Sequence, residues 1–281
     1  MEQERRFAVL IDADNISDKY IKFILDEISN EGIATYKRIY GDWTRSALGG
    51  WKNILLEYSI TPIQQYGYTS GKNATDAAMI IDAMDILYSG NVEGFCLVTS
   101  DSDFTRLASR LRESGMDVVG MGEKKTPKAF VVACDKFKYL DILTDQDIKS
   151  VDADEMVSLV LPSIKEEKKK HKNMEISEEE KEPEMTPLVT IKNSVMAIIR
   201  EYSDDEGWIS IGSIGNMLLK RHPDFDVRNF GYKKLKPFMN SLGDVEIRTP
   251  QDENSSVVYA REKPKRTRRS PERKKKTDSL S

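Results

Sequence analysis

The chain is poor in the residues on which many enzymes and metal sites depend. It has two cysteines and two histidines in 281 residues. Cys96 and Cys134 each lie in an apolar run without a CxxC pair, which argues against a disulfide framework or a zinc knuckle. His171 and His222 both lie in the second half, which excludes a His-based triad, a His general base or a His-rich metal site in the first half. Chemistry in the first half must therefore depend on carboxylates.

Long apolar runs are missing as well. No run approaches the roughly 20 residues that a membrane-spanning helix needs, and the N-terminal sequence turns directly into a short strand. We therefore expect a cytoplasmic protein without a membrane segment. A length of 281 residues, with 39% hydrophobic and 32% charged residues, predicts one or two folded units.

Charge is nearly balanced in total but unevenly placed along the chain. The formal net charge is −4, yet residues 261–276 hold ten basic and two acidic residues. A basic tail on an acidic body indicates an anionic partner and says little about fold. We predict that residues 261–281 are a disordered basic tail that attracts polyphosphates. A solubilising or ribosome-adherent tail is the alternative interpretation.

Residues 1–147 alternate short apolar runs with amphipathic helical patterns, as in βαβ units around a mostly parallel sheet. We predict strands at residues 7–11, 34–40, 61–66, 94–99, 117–121 and 138–143. We predict helices at residues 16–30, 46–58, 76–88, 104–114 and 127–134. The pattern predicts an α/β domain.

The second half divides into a charged segment and a compact module. Residues 148–187 are predicted to be a linker, because Lys165–Glu184 contains eight Glu and six Lys and almost no apolar residues. Regular apolar spacing resumes over residues 188–260. Helices followed by a hairpin in this range predict a small winged-helix-like domain.

The strongest local signals are aspartates placed where a strand ends and a helix begins. Asp12 follows the first strand, Asp76 opens a helix, and Asp101 and Asp103 follow the strand GFCLVT. The carboxyl ends of parallel strands share one edge of the sheet, so Asp12, Asp101 and Asp103 are expected at a common crevice. Two carboxylates about 4 Å apart repel by about 4 kcal/mol at an effective dielectric near 20, so the cluster requires a compensating charge.

A divalent cation would supply this charge. Oxygen-only ligands favour Mg²⁺ or Mn²⁺ over zinc, and substrate phosphates often complete such sites. Hydrolysis of a phosphodiester follows, because the cation lowers the pKa of a water and stabilises the leaving oxygen. Each aspartate alone also has a structural interpretation, as a helix N-cap or a turn residue.

Three further residues near these aspartates have two interpretations each. Asp82 lies about 240° beyond Asp76 on a helix and cannot share its face, so we interpret it as a supporting or structural residue. Lys72 lies in a Gly-containing loop, where it would touch a substrate phosphate or simply be solvated. Asn15 would orient the attacking water or cap the first helix.

Four motifs follow one another in the first domain: LIDADN, GKNATD with the helical IIDAMDIL, LVTSDSDF and VACDKFKYL. Over residues 5–145 this order resembles the NYN domain, a branch of the PIN-like nuclease superfamily. The resemblance implies a PIN-like, mostly parallel sheet sandwiched by helices. It also implies an RNA-cleaving enzyme, expected to be an endoribonuclease, whose Mg²⁺ or Mn²⁺ is bound by Asp12, Asp76, Asp101 and Asp103. PIN-like domains commonly pair, so the resemblance suggests a homodimer.

The sequence GWISIGSIGNMLLKRHPDFDVRNFGYKKLKPFM is similar to the OST-HTH or LOTUS domain, and the similarity covers residues 188–260. It implies a winged-helix-like fold associated with RNA binding and with protein partners in RNA metabolism. Candidate RNA contacts are Lys220, Arg221, His222, Lys233, Lys234 and Lys236. A solvated charged surface is the alternative interpretation for these side chains. Residues expected in the core are Trp208, Ile211, Phe225, Phe230, Tyr232 and Leu235.

The leading hypothesis is a metal-dependent ribonuclease whose RNA is recruited by the LOTUS-like domain and the basic tail. The alternative is a non-catalytic RNA-binding adaptor whose acidic cluster has become structural. A third class is another carboxylate enzyme. Asp12 and Asp14 are spaced as in haloacid dehalogenase-type phosphatases, and Asp101 and Asp103 as in the DxD motif of sugar transferases. Both patterns are short, and neither family would bring a LOTUS-like domain.

Overall fold

A computed structural model of the protein describes residues 4–66, 74–144, 185–249 and 257–263. These residues form an N-terminal domain up to residue 144 and a C-terminal domain from residue 187, each with its own apolar core. Lys72, the linker up to residue 184 and the basic tail from residue 264 lie outside the described residues. Among the helices that the structure describes, none has the length and apolar character needed to cross a membrane.

In the described part of the N-terminal domain, six strands alternate with five α-helices, and a further helical segment begins at Leu140. The strands are β1 (Arg6–Asp12), β2 (Ile33–Gly41), β3 (Thr61–Gln64), β4 (Gly94–Val98), β5 (Asp117–Gly122) and β6 (Lys136–Tyr139). The helices are α1 (Ile21–Ser29), α2 (Trp51–Glu57), α3 (Ala74–Ser89), α4 (Thr105–Glu113) and α5 (Lys128–Ala133). All paired strands are parallel, in the order β3-β2-β1-β4-β5-β6. The predicted α/β class is confirmed.

The central strands are apolar because helices cover both faces of the sheet. Every residue of β4 and all but the first residue of β1 are buried. One apolar cluster, on the face covered by α1 and α2, includes Ile24 and Trp51. The other cluster, on the face covered by α3 and α4, includes Phe104 and Leu111. The sheet is thereby held between two helical layers.

The direction in which the sheet grows reverses beside β1. The chain adds β2 and β3 on one side of β1, and then β4, β5 and β6 on the other side. Such a reversal leaves a crevice outside the carboxyl ends of the two strands that flank it. Asp12 ends β1, and Thr99 immediately follows β4. The topology therefore places two of the acidic motifs at this crevice.

The sixth strand is shorter than predicted. The segment 138–143 was expected to be extended throughout, but β6 ends at Tyr139 and the chain is helical from Leu140. Leu140 and Leu143 are both buried in the same apolar cluster. A three-residue apolar spacing suits a helix, and a short apolar run does not by itself separate the two conformations.

The C-terminal domain contains three helices and a small antiparallel sheet. Its elements are α6 (Leu188–Tyr202), β7 (Ile209–Ser210), α7 (Ile211–Arg221), α8 (Leu235–Ser241), β8 (Val245–Arg248) and β9 (Tyr259–Glu262). The strands pair in the order β7-β9-β8. The third of these helices, α8, starts at Leu235. A short 3-10 helix (Val227–Phe230) and Gly231, with a φ of 82°, precede it.

The C-terminal domain packs against the edge of the N-terminal sheet through buried charged groups. Arg228 donates to the two carboxylate oxygens of Glu27 in α1, at 2.6 and 2.9 Å, and to Asp226 at 2.8 Å. Lys138 in β6 donates to the same Asp226 at 2.7 Å. Two cations from different domains thus share one carboxylate.

A second buried carboxylate, Asp224, holds the end of the predicted linker. It accepts hydrogen bonds from the amide and the hydroxyl of Thr186, both at 2.8 Å, and from the Tyr139 hydroxyl at 3.4 Å. Next to it, the amide of Phe137 in β6 donates to the carbonyl of Pro223 at 2.8 Å. The C-terminal domain is therefore hydrogen-bonded to the outer strand of the sheet.

The charge of Asp226 is stabilised by this interface. Burial alone would raise the pKa of Asp226. The hydrogen bond from Arg228 and the positive charge of Lys138 outweigh burial and hold the pKa at about 2. Only the ionised carboxylate can serve both cations.

We expect Asp226→Asn to destabilise the protein by about 2 kcal/mol at pH 7, because it leaves Lys138 and Arg228 short of an anionic partner. Since the pKa is lowered on folding, the contribution is complete above about pH 4 and is lost as the pH falls toward 2. Urea unfolding at pH 7 and at about pH 2.5 measures the free energy of unfolding of both proteins. The difference between Asp226→Asn and the wild type should be smaller at the lower pH.

The matched control is Asp244→Asn, which removes the exposed partner of Lys192. We expect that change to cost much less than Asp226→Asn, because solvent screens exposed pairs. Equal costs for the two variants, or a difference for Asp226→Asn that is unchanged in acid, would contradict the assigned role of Asp226.

Candidate metal centre

Three aspartates converge at the crevice between β1 and β4. Asp76, Asp101 and Asp103 each place a carboxylate oxygen within 4.8 Å of the others, and we call them the acidic centre. Asp76 lies in the first turn of α3, and the other two lie in the turn between β4 and α4. The structure therefore brings together three of the four predicted ligands, from segments that lie far apart in the chain.

The turn after β4 is held in place by one of its own aspartates. Asp101 is the N-cap of the 3-10 helix Ser102–Phe104, and its carboxylate accepts a hydrogen bond from the amide of Asp103 at 2.9 Å. Phe104 is fully buried and anchors the end of the turn. A carboxylate has two oxygens, so capping and a place in the acidic centre are compatible for Asp101.

Asp12, the fourth predicted ligand, is fully buried at the end of β1 and lies outside the group of three. Its Oδ2 accepts hydrogen bonds from Asn15 at 2.6 Å and Thr99 at 2.8 Å, and its Oδ1 accepts one from the amide of Asp14 at 3.1 Å. Burial raises the pKa of Asp12, and the three hydrogen bonds oppose that rise. Its negative charge also acts on Asp76.

Asp76 is the aspartate that the repulsion affects most. Burial, and then the charges of Asp12, Asp101 and Asp103, raise its pKa to about 6, from an ordinary value of 3.8. A cation at the acidic centre would remove this repulsion. The group contains only carboxylates, and such an oxygen-only donor set fits Mg²⁺ or Mn²⁺ better than zinc.

Thr99 is a site residue that the sequence did not reveal. Its fully buried hydroxyl donates to Asp12 and accepts from the amide of Asp101 at 3.1 Å, so it links two of the acidic motifs. Gly122 in β5 makes room for this segment, because a Cβ there would lie 2.6 Å from the Thr99 carbonyl. The signal was the position of Thr99 in LVTSDSD, but a threonine after a strand is too common to indicate a role.

Of the two predicted accessory residues, Asn15 and Lys72, the structure describes only Asn15. Asn15 donates to Asp12 and positions that carboxylate. It does not cap the first helix, because Ser17 precedes the helical residues Asp18–Tyr20. Lys72 lies outside the described residues, so its contact with a phosphate stays a prediction.

Asp82 points away from the acidic centre. It accepts hydrogen bonds from Arg38 and from the hydroxyl of Tyr40, both in β2. Burial, followed by the hydrogen bond to Asp82, raises the pKa of Tyr40, so this hydroxyl stays protonated and donates. Asp82 therefore joins α3 to the sheet.

Comparison with known families identifies both domains. The NYN domain family matches residues 6–141, and the OST-HTH/LOTUS domain family matches residues 187–257. The chain carries an NYN domain followed by a LOTUS domain. The resemblances found in the sequence motifs are thus confirmed, in the expected order.

Part of the chain is similar to a solved structure. It is the crystal structure of a protein of unknown function from Vibrio parahaemolyticus, with 18% sequence identity and a TM-score of 0.43. The similarity covers 50% of this chain and 96% of that chain. No curated protein matches the chain.

The predicted basic contacts of the LOTUS domain lie on two surfaces. Lys220 and Arg221 are exposed at the end of α7, where they line a cleft against the NYN domain. Three further exposed side chains surround the start of α8: Lys233, Lys234 and Lys236. The last of these donates to the Thr249 hydroxyl at 3.1 Å.

His222 is an internal hydrogen-bonding residue of the LOTUS domain. Its Nε2 lies 2.8 Å from the Ser194 hydroxyl, and burial lowers its pKa, which favours the neutral ring. We therefore no longer interpret it as an RNA contact. The six predicted core residues do lie in the core or against it, with Trp208 and Phe225 buried and the others partly buried: Ile211, Phe230, Tyr232 and Leu235.

We expect Asp76→Asn to raise the melting temperature of the protein in EDTA, because it removes a charge that three neighbours repel. Solvent screens part of this repulsion, so the gain should be about 1 kcal/mol at pH 7.5. With Mn²⁺ or Mg²⁺ the wild type should instead melt at a higher temperature than Asp76→Asn, because only the wild type has the full set of ligands. Thermal unfolding with EDTA and with each metal measures both effects.

The control for this prediction is Asp85→Asn, an exposed residue of the same helix. It should respond to EDTA and to the metals as the wild type does. If Mn²⁺ raised the melting temperature of Asp76→Asn as much as that of the wild type, Asp76 would not be a ligand.

Proposed function

We propose that the protein is a metal-dependent endoribonuclease, in which the NYN domain hydrolyses RNA and the LOTUS domain and basic tail recruit it. NYN domains belong to the PIN-like nucleases, so the family points to a nuclease-type hydrolase. The observation that carries the proposal is the convergence of Asp76, Asp101 and Asp103 within 4.8 Å at the carboxyl edge of the sheet.

In this proposal the acidic centre holds Mg²⁺ or Mn²⁺, and Asp12, whose charge acts on Asp76, serves as a further ligand or a support. When bound, such an ion supplies a nucleophilic water at neutral pH and stabilises charge on the leaving oxygen. The chain itself contributes positioning. Thr99 and Asn15 hold Asp12, while the capped turn holds Asp101 and Asp103.

Endonucleolytic cleavage is supported by the exposure of the site. Asp103 is exposed and Asp101 is half-buried, so the acidic centre faces an open crevice. An internal phosphodiester can enter such a crevice without a free end of the RNA.

Recruitment of RNA by an acidic chain needs a separate basic element. Arg261 lies in β9 and Lys263 directly follows it, so the tail from residue 264 has eight basic residues, and it attracts phosphates without regard to sequence. The LOTUS domain adds the basic side chains at the ends of α7 and α8. Protein partners of the LOTUS domain and a homodimer stay predictions of the family resemblance.

A non-catalytic RNA-binding adaptor is the second candidate. It is favoured by the structural tasks that the aspartates already perform. Asp101 caps a turn, and Asp12 accepts three hydrogen bonds in the core. Such residues would be retained in a protein that binds RNA without cutting it.

The decisive test is cleavage of end-labelled single-stranded and structured RNA with Mg²⁺, Mn²⁺ or EDTA. We expect cleavage only with a metal. The double variant Asp101→Asn/Asp103→Asn should be at least about a hundredfold slower, a loss of about 3 kcal/mol of transition-state stabilisation. Asparagine keeps the capping interaction, so the fold should persist. Asp85→Asn should cut as fast as the wild type.

Other outcomes discriminate between the candidates. RNA binding without cleavage under any metal, in wild type and double variant alike, would favour the adaptor. Cleavage by the double variant at the wild-type rate would place the active site elsewhere. Turnover of an aryl phosphate in place of RNA would support a phosphatase.

Removal of residues 264–281 should weaken binding to all RNA sequences equally. Each lost phosphate contact should reduce the slope of log K against log salt by about 0.7. Filter binding or anisotropy at several salt concentrations measures both quantities. A tail of scrambled sequence but equal composition is the control and should bind as the wild type does. Loss of affinity for the scrambled tail would indicate sequence-specific contacts.

A further inference from the structure

A basic cleft lies between the NYN and LOTUS domains. Its volume is about 610 Å³. The NYN domain contributes Arg112, Asp135 and Lys136, and the LOTUS domain contributes Lys220 and Arg221. Neither domain forms the cleft alone.

The cleft is separate from the acidic centre. Lys136 is the first residue of β6, and Arg112 is the last but one of α4, so both lie at the amino-terminal edge of the sheet. Helix α4 starts beside Asp103 at the other edge and runs back over nine residues, or about 14 Å. None of the three aspartates of the acidic centre lines the cleft. A ligand bound there would not reach the acidic centre without crossing the domain.

Positive charge predominates in the cleft, which contains four cationic side chains and one carboxylate. Lys220 is exposed and makes no ion pair with any residue that the structure describes. The other three cations each have one carboxylate partner at 2.6 to 3.0 Å: Asp135 for Arg112, Glu31 for Lys136 and Glu201 for Arg221. Only Asp135 among these partners lines the cleft.

These ion pairs leave the cations available to a stronger anion. The side chains of Arg112, Lys136 and Arg221 are between 35% and 43% exposed. The pairs of Arg112 and Arg221 are exposed on both sides and are therefore weak, because solvent screens them and holding two long side chains in one geometry costs entropy. Glu31, the partner of Lys136, is 15% exposed. A phosphate can replace such a partner, and the planar guanidinium of arginine matches its oxygens with two parallel hydrogen bonds.

We infer that the interdomain cleft is a second RNA site, which binds backbone phosphates of a single strand at the edge of the NYN sheet opposite the acidic centre. RNA is favoured over an acidic peptide because one wall of the cleft belongs to a LOTUS domain, a family associated with RNA. The inference rests on the proposed function for the identity of the ligand, but it does not depend on cleavage.

The cleft would give the two domains a shared task. A strand held there and at the acidic centre crosses the NYN domain, so binding at one site raises the effective concentration of RNA at the other. The ion pairs of Lys138 with Asp226 and of Glu27 with Arg228 join the two domains that form the walls of the cleft.

The test is the affinity of the full chain for a fluorescently labelled single-stranded RNA of about 30 nucleotides, longer than the sites of about 4 to 16 that single domains occupy. Anisotropy is measured in EDTA, so that cleavage does not interfere. Lys136→Gln and Lys220→Gln each remove one cation, from opposite walls. Lys52→Gln is the matched control, because Lys52 is an exposed lysine of α2, beside the far edge strand β3.

We expect each cleft variant to bind the RNA about fivefold more weakly than the wild type. The slope of log K against log salt should be reduced by about 0.7 in each variant. Lys52→Gln should bind as the wild type does. The two cleft substitutions should also be non-additive, because both side chains contact the same strand. Since Lys220 has no ion pair to lose, its substitution should leave the melting temperature unchanged, which separates lost binding from lost folding.

Wild-type affinity and salt slope in both cleft variants would overturn the inference. RNA would then use another surface, such as the α8 lysines or the tail, and the cleft would be left to an acidic protein segment. Failure of the proposed ribonuclease function would give a different result from failure of the cleft inference. A wild type that binds RNA but never cuts it leaves the cleft test valid, and a wild type that binds no RNA refutes both proposals.

Discussion

Repulsion between carboxylates at one edge of the sheet is the constraint on which the rest of the site depends. The parallel topology directs Asp12 and Asp101 to the same crevice, and α3 adds Asp76 to it. Hydrogen bonds from Thr99 and Asn15 offset part of the cost for Asp12. The remaining repulsion falls on Asp76, whose pKa rises to about 6. A site with this excess of negative charge is suited to a divalent cation.

At the interface between the domains, by contrast, positive charges surround a carboxylate. Asp226 is also largely buried, but Arg228 and Lys138 hold it in the ionised form with a pKa of about 2. The carboxylates at the interface and those at the acidic centre thus differ in the charges around them, and we assign them different roles for that reason. Paired carboxylates such as Asp226 and Glu27 hold the domains together. The carboxylates of the acidic centre gather at the edge of the sheet where a cation and a substrate would bind.

An acidic chain that acts on RNA must attract a polyanion to a negatively charged centre. Much of the basic charge lies away from Asp76, Asp101 and Asp103: in the tail, at the start of α8 and in the interdomain cleft. Placing recruitment at a distance lets the acidic centre keep its negative charge for a cation. The fixed position of the LOTUS domain against β6 then determines where a recruited strand would run.

Local patterns determined what the sequence alone could predict: six strands, their helices, the order of the two domains and the aspartates at strand ends. These features depend on the periodicity and residue types of short segments. The helical turn at Leu140, the bridging hydroxyl of Thr99 and the burial of Asp12 outside the group of three aspartates required the tertiary structure. The same holds for the contact between Glu27 and Arg228, 201 residues apart, and for the interdomain cleft. Such features arise from which segments the fold brings together, and no local pattern encodes that.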